Sequence, residues 1–119
     1  MLINIYFLTA NTSVHVVATE EFKRKVKRLK KDHIELILKD IRKLRTQKMN
    51  AIKILRVVGP YVLGEIKHKK PPYRLYVVVD QEEGVCAVVE WVHKKEQQEI
   101  IDKLQRDAER IMKELFGSI

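Results

Sequence analysis

The stretch from residue 61 to residue 92 limits the possible folds most strongly, because three strand-like segments follow one another with very short connections. Residues 61–69 have an apolar period of two, and residues 73–80 and 85–92 are rich in β-branched and apolar side chains. The connections are Lys70-Pro71-Pro72 and the turn sequence "DQEEG". Because parallel neighbours need a crossover of about a dozen residues or more, the three segments are predicted to form an antiparallel meander.

Two helical patterns precede this stretch. Thr19 has the character of an N-cap, with two glutamates in the first turn of the helix. The narrow apolar stripe of this helix consists of Phe22, Val26 and Leu29. A second helix is predicted to open at Asp32, with Glu35 in capping-box spacing. Its apolar face consists of Ile34, Ile37, Leu38, Ile41 and Leu44. Since little chain separates the patterns, an antiparallel helical hairpin is expected.

The two ends of the chain complete the order of elements. Residues 1–9 and 14–18 are β-rich and predict a strand or a hairpin, whereas residues 96–116 have a helical period that Gly117 ends. We therefore predict one domain, residues 1–119, of the α+β class. It contains an N-terminal strand or hairpin, the two-helix hairpin, the three-stranded meander and a C-terminal helix. The helices are expected to lie across one face of a mainly antiparallel sheet.

The composition indicates the kind of partner. The net charge is +8, which favours polyanions and acidic proteins. Residues 19–48 contain twelve Lys/Arg against five Asp/Glu, so most of this charge lies on the predicted helical hairpin. Cys86 is the single cysteine, so neither a disulfide framework nor a cysteine-based zinc site is expected. No signal peptide or membrane span is recognised. We predict a cytoplasmic protein without a metal or an organic cofactor.

Three segments, "EEFKRKVKRLKK", "GEIKHKKPPYRLYVVVD" and "VVEWVHKKEQQE", together resemble the RelE/ParE superfamily of bacterial and archaeal type II toxins. The resemblance spans about residues 14–111 and implies a RelE-like fold. RelE-like members are ribosome-dependent mRNA endoribonucleases that inhibit translation and are neutralised by a small acidic antitoxin. ParE-like members share the fold but poison DNA gyrase. The resemblance implies one of these activities, an acidic antitoxin, a possible toxin–antitoxin hetero-oligomer and, for the nuclease, the ribosome and its mRNA.

The resemblance also assigns catalytic roles to four residues. Arg74, in the "YRL" motif, matches a strand arginine that binds phosphate and stabilises the transition state, a task that suits the guanidinium fork. Lys67 matches a catalytic strand lysine. His93 and Lys95 match positions that carry a cation or a proton-transfer histidine. Because RNA supplies its own 2′-hydroxyl as nucleophile, this reaction needs proton transfer and cations rather than a nucleophilic side chain.

A wider set of residues is expected to bind RNA. The candidates around the catalytic positions are Lys69, Lys70, Lys94 and Tyr73, the last by stacking on a base. The candidates on the helical hairpin are Lys27, Lys30 and Lys31, which would contact ribosomal RNA. In a regular strand, Glu65, Lys67 and Lys69 share one face. We expect that face to be open, because Ile66 packs on the other.

One departure from the family pattern keeps a third function open. Many RelE-like nucleases carry a tyrosine about one turn into the last helix, and here that region reads "EQQEIIDK" without an aromatic residue. A catalytically silent protein of this fold, which only binds nucleic acid or a partner, therefore stands beside the two toxin activities.

Overall fold

The computed structural model describes residues 15–117 as an α+β fold with five strands and three α-helices. The strands are β1 (His15–Ala18), β2 (Lys53–Val58), β3 (Tyr61–Lys67), β4 (Tyr73–Asp80) and β5 (Val85–His93). The helices are α1 (Glu20–Val26), α2 (Lys31–Gln47) and α3 (Gln97–Phe116), and short 3₁₀ turns span Lys48–Ala51 and Lys94–Glu96. The strand predicted for residues 1–9 lies outside the described residues, whereas β1 confirms most of the one predicted for residues 14–18.

The sheet has the strand order β1-β5-β4-β3-β2 and is mixed, because β1 pairs parallel to β5 while the other neighbours are antiparallel. The predicted antiparallel meander is present as β3, β4 and β5, and β2 adds a fourth strand that was not predicted. The strand β2 was not predicted because its residues do not alternate between apolar and polar. A register shift between Ile54 and Arg56 breaks its period of two, and Ile54 and Val57 are 53% and 69% exposed.

Helices cover both faces of this sheet, which corrects the expectation of helices on one face only. Leu75, Val77 and Val79 of β4 pack in a cluster with residues of α1 and α2, whereas Tyr76 and Val78 pack in a second cluster with residues of α3. Because both faces of β4 are buried, its sequence is continuously apolar rather than alternating, a pattern typical of strands between two layers.

The helix starts show where sequence reasoning holds. Thr19 caps α1 as predicted, and its Oγ1 accepts a hydrogen bond from the backbone N–H of Phe22 at 3.1 Å. The N-cap of α2 is Lys30 rather than Asp32, so the predicted capping box is not the start of that helix. Leu38, which was predicted to lie on the buried face of α2, is 50% exposed, and Asp40 is buried on that face.

Among the helices within residues 15–117, none combines the length and the apolar character that crossing a bilayer needs.

Candidate functional site

The candidate site lies at one end of the sheet, where β3 ends, β4 begins and β5 ends. Lys67 and Arg74 are directly opposite each other on β3 and β4, and Arg74 also faces Val92 on β5. Directly opposed residues project from the same face of a sheet, and Val92 packs in the cluster with α3. The two predicted phosphate-binding cations are therefore neighbours on the α3 face. Lys67 is exposed, and the Arg74 side chain is 19% exposed.

A buried carboxylate holds the guanidinium of Arg74. Nη1 of Arg74 donates to Oε1 of Glu65 at 3.3 Å, and Nε2 of Gln97 donates to the same oxygen at 3.0 Å. Glu65 is buried because α3 begins at Gln97 and covers this part of the face. The expectation that Glu65 shares an open face with Lys67 and Lys69 is therefore wrong, and only the end of that face is accessible.

Tyr76 completes this buried polar group, since it is directly opposite Glu65 on the neighbouring strand. Its hydroxyl and Oε2 of Glu65 are both buried without a hydrogen-bond partner among the described residues. Burial and the negative charge of Glu65 raise the pKa of Tyr76 to about 12. The interior behind Arg74 is therefore a low-dielectric environment, in which the attraction between Glu65 and Arg74 is only weakly screened.

His93 and Tyr73 face each other across β5 and β4, but on the side of the sheet that carries α1 and α2. The rings of Tyr73 and buried Trp91 are stacked with centroids 5.5 Å apart, and the His93 ring lies 5.7 Å from Tyr73. Nδ1 of His93 accepts a hydrogen bond from the backbone N–H of Lys95 at 3.1 Å. The four predicted catalytic residues thus occupy one end of the sheet, but the sheet separates Arg74 and Lys67 from the ring of His93.

The predicted RNA-binding lysines surround the same end of the sheet. Lys69 and Lys70 lie in the connection from β3 to β4, and Lys94 and Lys95 lie in the 3₁₀ turn before α3; all four are exposed. His33, near the start of α2, contacts Tyr73 with ring centroids 4.7 Å apart, which brings the beginning of α2 to this end as well. The exposed lysines of that region are Lys27, Lys30 and Lys31.

Two hydrogen bonds that sequence reasoning missed attach α2 to the sheet. Oδ2 of Asp40 and Nε2 of His68 are 2.7 Å apart, and Nε1 of Trp91 donates to Nδ1 of His33 at 2.9 Å. Burial raises the pKa of Asp40, and the bond to His68 offsets part of that rise.

A signal for these bonds was present in the spacing of one helix. His33, Ile37, Asp40 and Leu44 occupy positions i, i+4, i+7 and i+11, a single stripe of α2. Two of the four are polar, so an apolar pattern search does not select this stripe and selects Leu38 instead. His68 is partly buried and Trp91 is buried.

Among the described residues the site offers no recognisable metal centre, and the chain has no recognisable relatives among known proteins. No group of three or more His, Cys, Asp or Glu side chains suited to a metal ion occurs within residues 15–117. Searches of this chain against known protein families, curated proteins and solved structures found no match.

Proposed function

We propose that the protein is a RelE-like toxin that cuts mRNA on the ribosome and thereby inhibits translation. One observation carries this proposal. Lys67 and Arg74, to which the family resemblance assigns catalytic roles, are cross-strand neighbours on the same face of the sheet. They lie at the end of the sheet that is surrounded by exposed lysines. Such an arrangement fits an RNA backbone, which presents negative charge at every nucleotide.

In the proposed reaction the 2′-hydroxyl of the RNA loses its proton and attacks the adjacent phosphorus. The bond to the 5′-oxygen breaks, and that oxygen takes up a proton, so that the products are a 2′,3′-cyclic phosphate and a 5′-hydroxyl. Arg74 can hold two phosphate oxygens with its planar fork, and Lys67 adds a point charge beside it. Both cations stabilise the additional negative charge of the transition state.

Proton transfer is assigned to His93 or Lys95. Because Nδ1 of His93 accepts the backbone N–H of Lys95, the neutral ring carries its proton on Nε2. Its use as an acid or a base would therefore require that this hydrogen bond be broken. The ring lies on the other side of the sheet from Arg74, so RNA would have to pass around the exposed end of β4 to contact both. Tyr73, next to His93, would stack on a base at this bend.

The proposed partners follow from the charge of the molecule. A net charge of +8 together with clustered exposed lysines favours docking on ribosomal RNA. The same surface would bind an acidic antitoxin in a toxin–antitoxin hetero-oligomer. A ribosome-directed toxin of this kind acts in the cytoplasm.

One specific observation favours a second candidate function, a binding protein without cleavage activity. The sheet separates His93 from Arg74, and Glu65 already occupies part of the guanidinium of Arg74. A protein that only binds RNA or a partner needs the cations but no proton-transfer residue beside them.

Primer extension on mRNA from cells that express the protein tests the proposal. The nuclease produces new mRNA ends at codons in the ribosomal A site, and Arg74→Ala removes them. Arg56→Ala serves as the control, because Arg56 is an exposed arginine on the edge strand β2, two strands away from Arg74 on β4. Intact mRNA with stalled gyrase complexes would support the ParE-like activity instead. Intact mRNA with unaffected gyrase would support the binding protein.

A further inference from the structure

We infer that Glu65 is a positioning residue, which holds the guanidinium of Arg74 in the orientation that receives the scissile phosphate. The expected effect on mRNA cleavage rests on the proposed function, whereas the contact between Glu65 and Arg74 does not. Glu65 itself does not contact RNA, because its side chain is fully buried beneath the start of α3. Its effect is therefore exerted through Arg74.

The geometry of arginine explains how one hydrogen bond sets this orientation. The guanidinium group is planar and rigid, so a hydrogen bond from Nη1 to Oε1 of Glu65 also limits the directions of the remaining N–H groups. Arg74 is neither fully buried nor freely mobile, since its side chain is 19% exposed. One nitrogen of the group thus binds the protein, and in this inference the exposed part of the group binds the phosphate.

Two further contacts keep Glu65 itself in place. Gln97, the first residue of α3, donates to the same carboxylate oxygen at 3.0 Å. Tyr76 lies directly opposite Glu65 and closes the space on the side of the neighbouring strand. The carboxylate is thus held by one helix end and one strand, both of them ordered parts of the fold.

The cost of this arrangement argues for a role beyond stability. A buried ion pair is often no more stabilising than apolar residues of similar volume. Most buried side chains on this face are apolar, and Glu90, opposite Tyr76, is a second buried carboxylate there. Here the pair also leaves Oε2 of Glu65 without a partner among residues 15–117. Lys67 lies two residues after Glu65 on the same face of β3. One strand therefore supplies both the positioning residue and the second cation.

Single-turnover cleavage of mRNA on purified ribosomes tests the inference. Glu65→Gln is expected to lower the cleavage rate about 10- to 100-fold while the affinity for the ribosome changes less than about twofold. Gln97→Leu, which removes only the outer support, is expected to lower the rate a few-fold and keeps the test informative if Glu65→Gln folds poorly. Asp40→Asn is the matched control, because Asp40 is another buried carboxyl that is hydrogen-bonded to a basic side chain, His68, but lies against the opposite face of the sheet.

Chemical rescue distinguishes positioning from a purely structural role. Guanidinium at millimolar concentration is expected to restore part of the activity of Arg74→Ala, and to fail in Arg74→Ala combined with Glu65→Gln. Equal rescue of both variants, or a wild-type cleavage rate for folded Glu65→Gln, would overturn the inference.

A second measurement keeps the inference independent of the proposed function. Nitrogen-detected NMR reports how fast the Arg74 guanidinium rotates in the free protein. We expect slow rotation in the wild type and in Asp40→Asn, and fast rotation in Glu65→Gln. If the wild type does not cut mRNA, this pattern still supports positioning while the nuclease proposal fails. Equal rotation in wild type and Glu65→Gln contradicts positioning whatever the activity.

Discussion

Asp40 of α2 and His68, directly after β3, form a hydrogen bond of 2.7 Å in which the carboxylate is fully buried and the imidazole is mostly buried. The second oxygen of Asp40 has no partner among the residues that the structure describes. The bond from Trp91 to His33 lies on the same stripe of α2. Two polar contacts therefore lie on the same stripe as buried Ile37 and Leu44, and together these residues attach α2 to the sheet.

Replacing His68 by alanine should destabilise the protein most at neutral pH. The variant leaves the buried Asp40 carboxyl without its hydrogen-bond partner His68, which costs about 1 to 3 kcal/mol. Asp40 has a pKa above its ordinary value of 3.8. The protonated Asp40 therefore costs the folded protein no stability below pH 3.8, and stability is lost as the pH rises through the higher pKa of the folded state, where the buried carboxyl must ionise. The cost of His68→Ala should thus shrink as the pH is lowered towards 4. Urea unfolding at a series of pH values measures this, with exposed His15→Ala as the control; a cost that grows in acid would contradict it.

Replacing Tyr76 by phenylalanine should change the stability at pH 7 by less than about 1 kcal/mol, since the buried hydroxyl makes no hydrogen bond of good geometry within residues 15–117, although the guanidinium of Arg74 lies close to it. The pKa of Tyr76 is raised from 10.0 to about 12. The unfolded chain therefore ionises this group first, and the folded protein loses stability as pH rises from 10 to 12. The advantage of Tyr76→Phe should increase over the same range in denaturant unfolding. A loss of more than about 1 kcal/mol at pH 7 would show that the hydroxyl makes a stabilising contact.

The thiol of Cys86 should be inert in the folded protein. Cys86 is buried in the cluster shared with α1 and α2, and burial raises its pKa to about 12. Ellman's reagent at pH 8 should therefore react with it only as fast as the protein unfolds, and at once in denaturant. Rapid reaction of the native protein would mean that this part of the core opens.

The start of α2 should contribute to RNA binding through charge alone. Reversing Lys30 and Lys31 to glutamate is expected to weaken binding to ribosomes and to make its salt dependence less steep, by about 0.7 to 0.9 for each phosphate that is no longer neutralised. Lys43→Glu with Arg45→Glu makes the same change of charge further along the helix, on exposed residues. If both pairs weaken binding equally, the effect reflects net charge and not a docking surface at the end of the sheet.

The sequence was sufficient where one local rule decides the structure. The cap at Thr19, the strands β3 to β5 and the apolar face of α3 follow from side-chain type and spacing, and the structure confirms them. The layer arrangement was predicted wrongly, although the continuous apolar run of β4 indicates a strand buried on both faces. That signal was present and was outweighed by the expectation of a two-layer fold.

The parts that could not be predicted depend on partners distant in sequence. Asp40 and Glu65 are charged residues in buried positions, and each is placed there by a side chain 28 or 9 residues away. Nothing in the local pattern shows that such a partner exists. The edge strand β2 could not be predicted either, because its irregular pairing with β3 removes the alternation by which strands are recognised.

Cleavage by Arg74→Lys on ribosomes loaded with a defined mRNA is the decisive experiment for the proposed site. Lysine keeps the positive charge but has no planar fork to hold two phosphate oxygens. We expect the wild type to cut the mRNA in the A site, and the variant to bind ribosomes as tightly but to cut about 100-fold more slowly. A variant that cuts at the wild-type rate would contradict the assignment of Arg74 to the scissile phosphate.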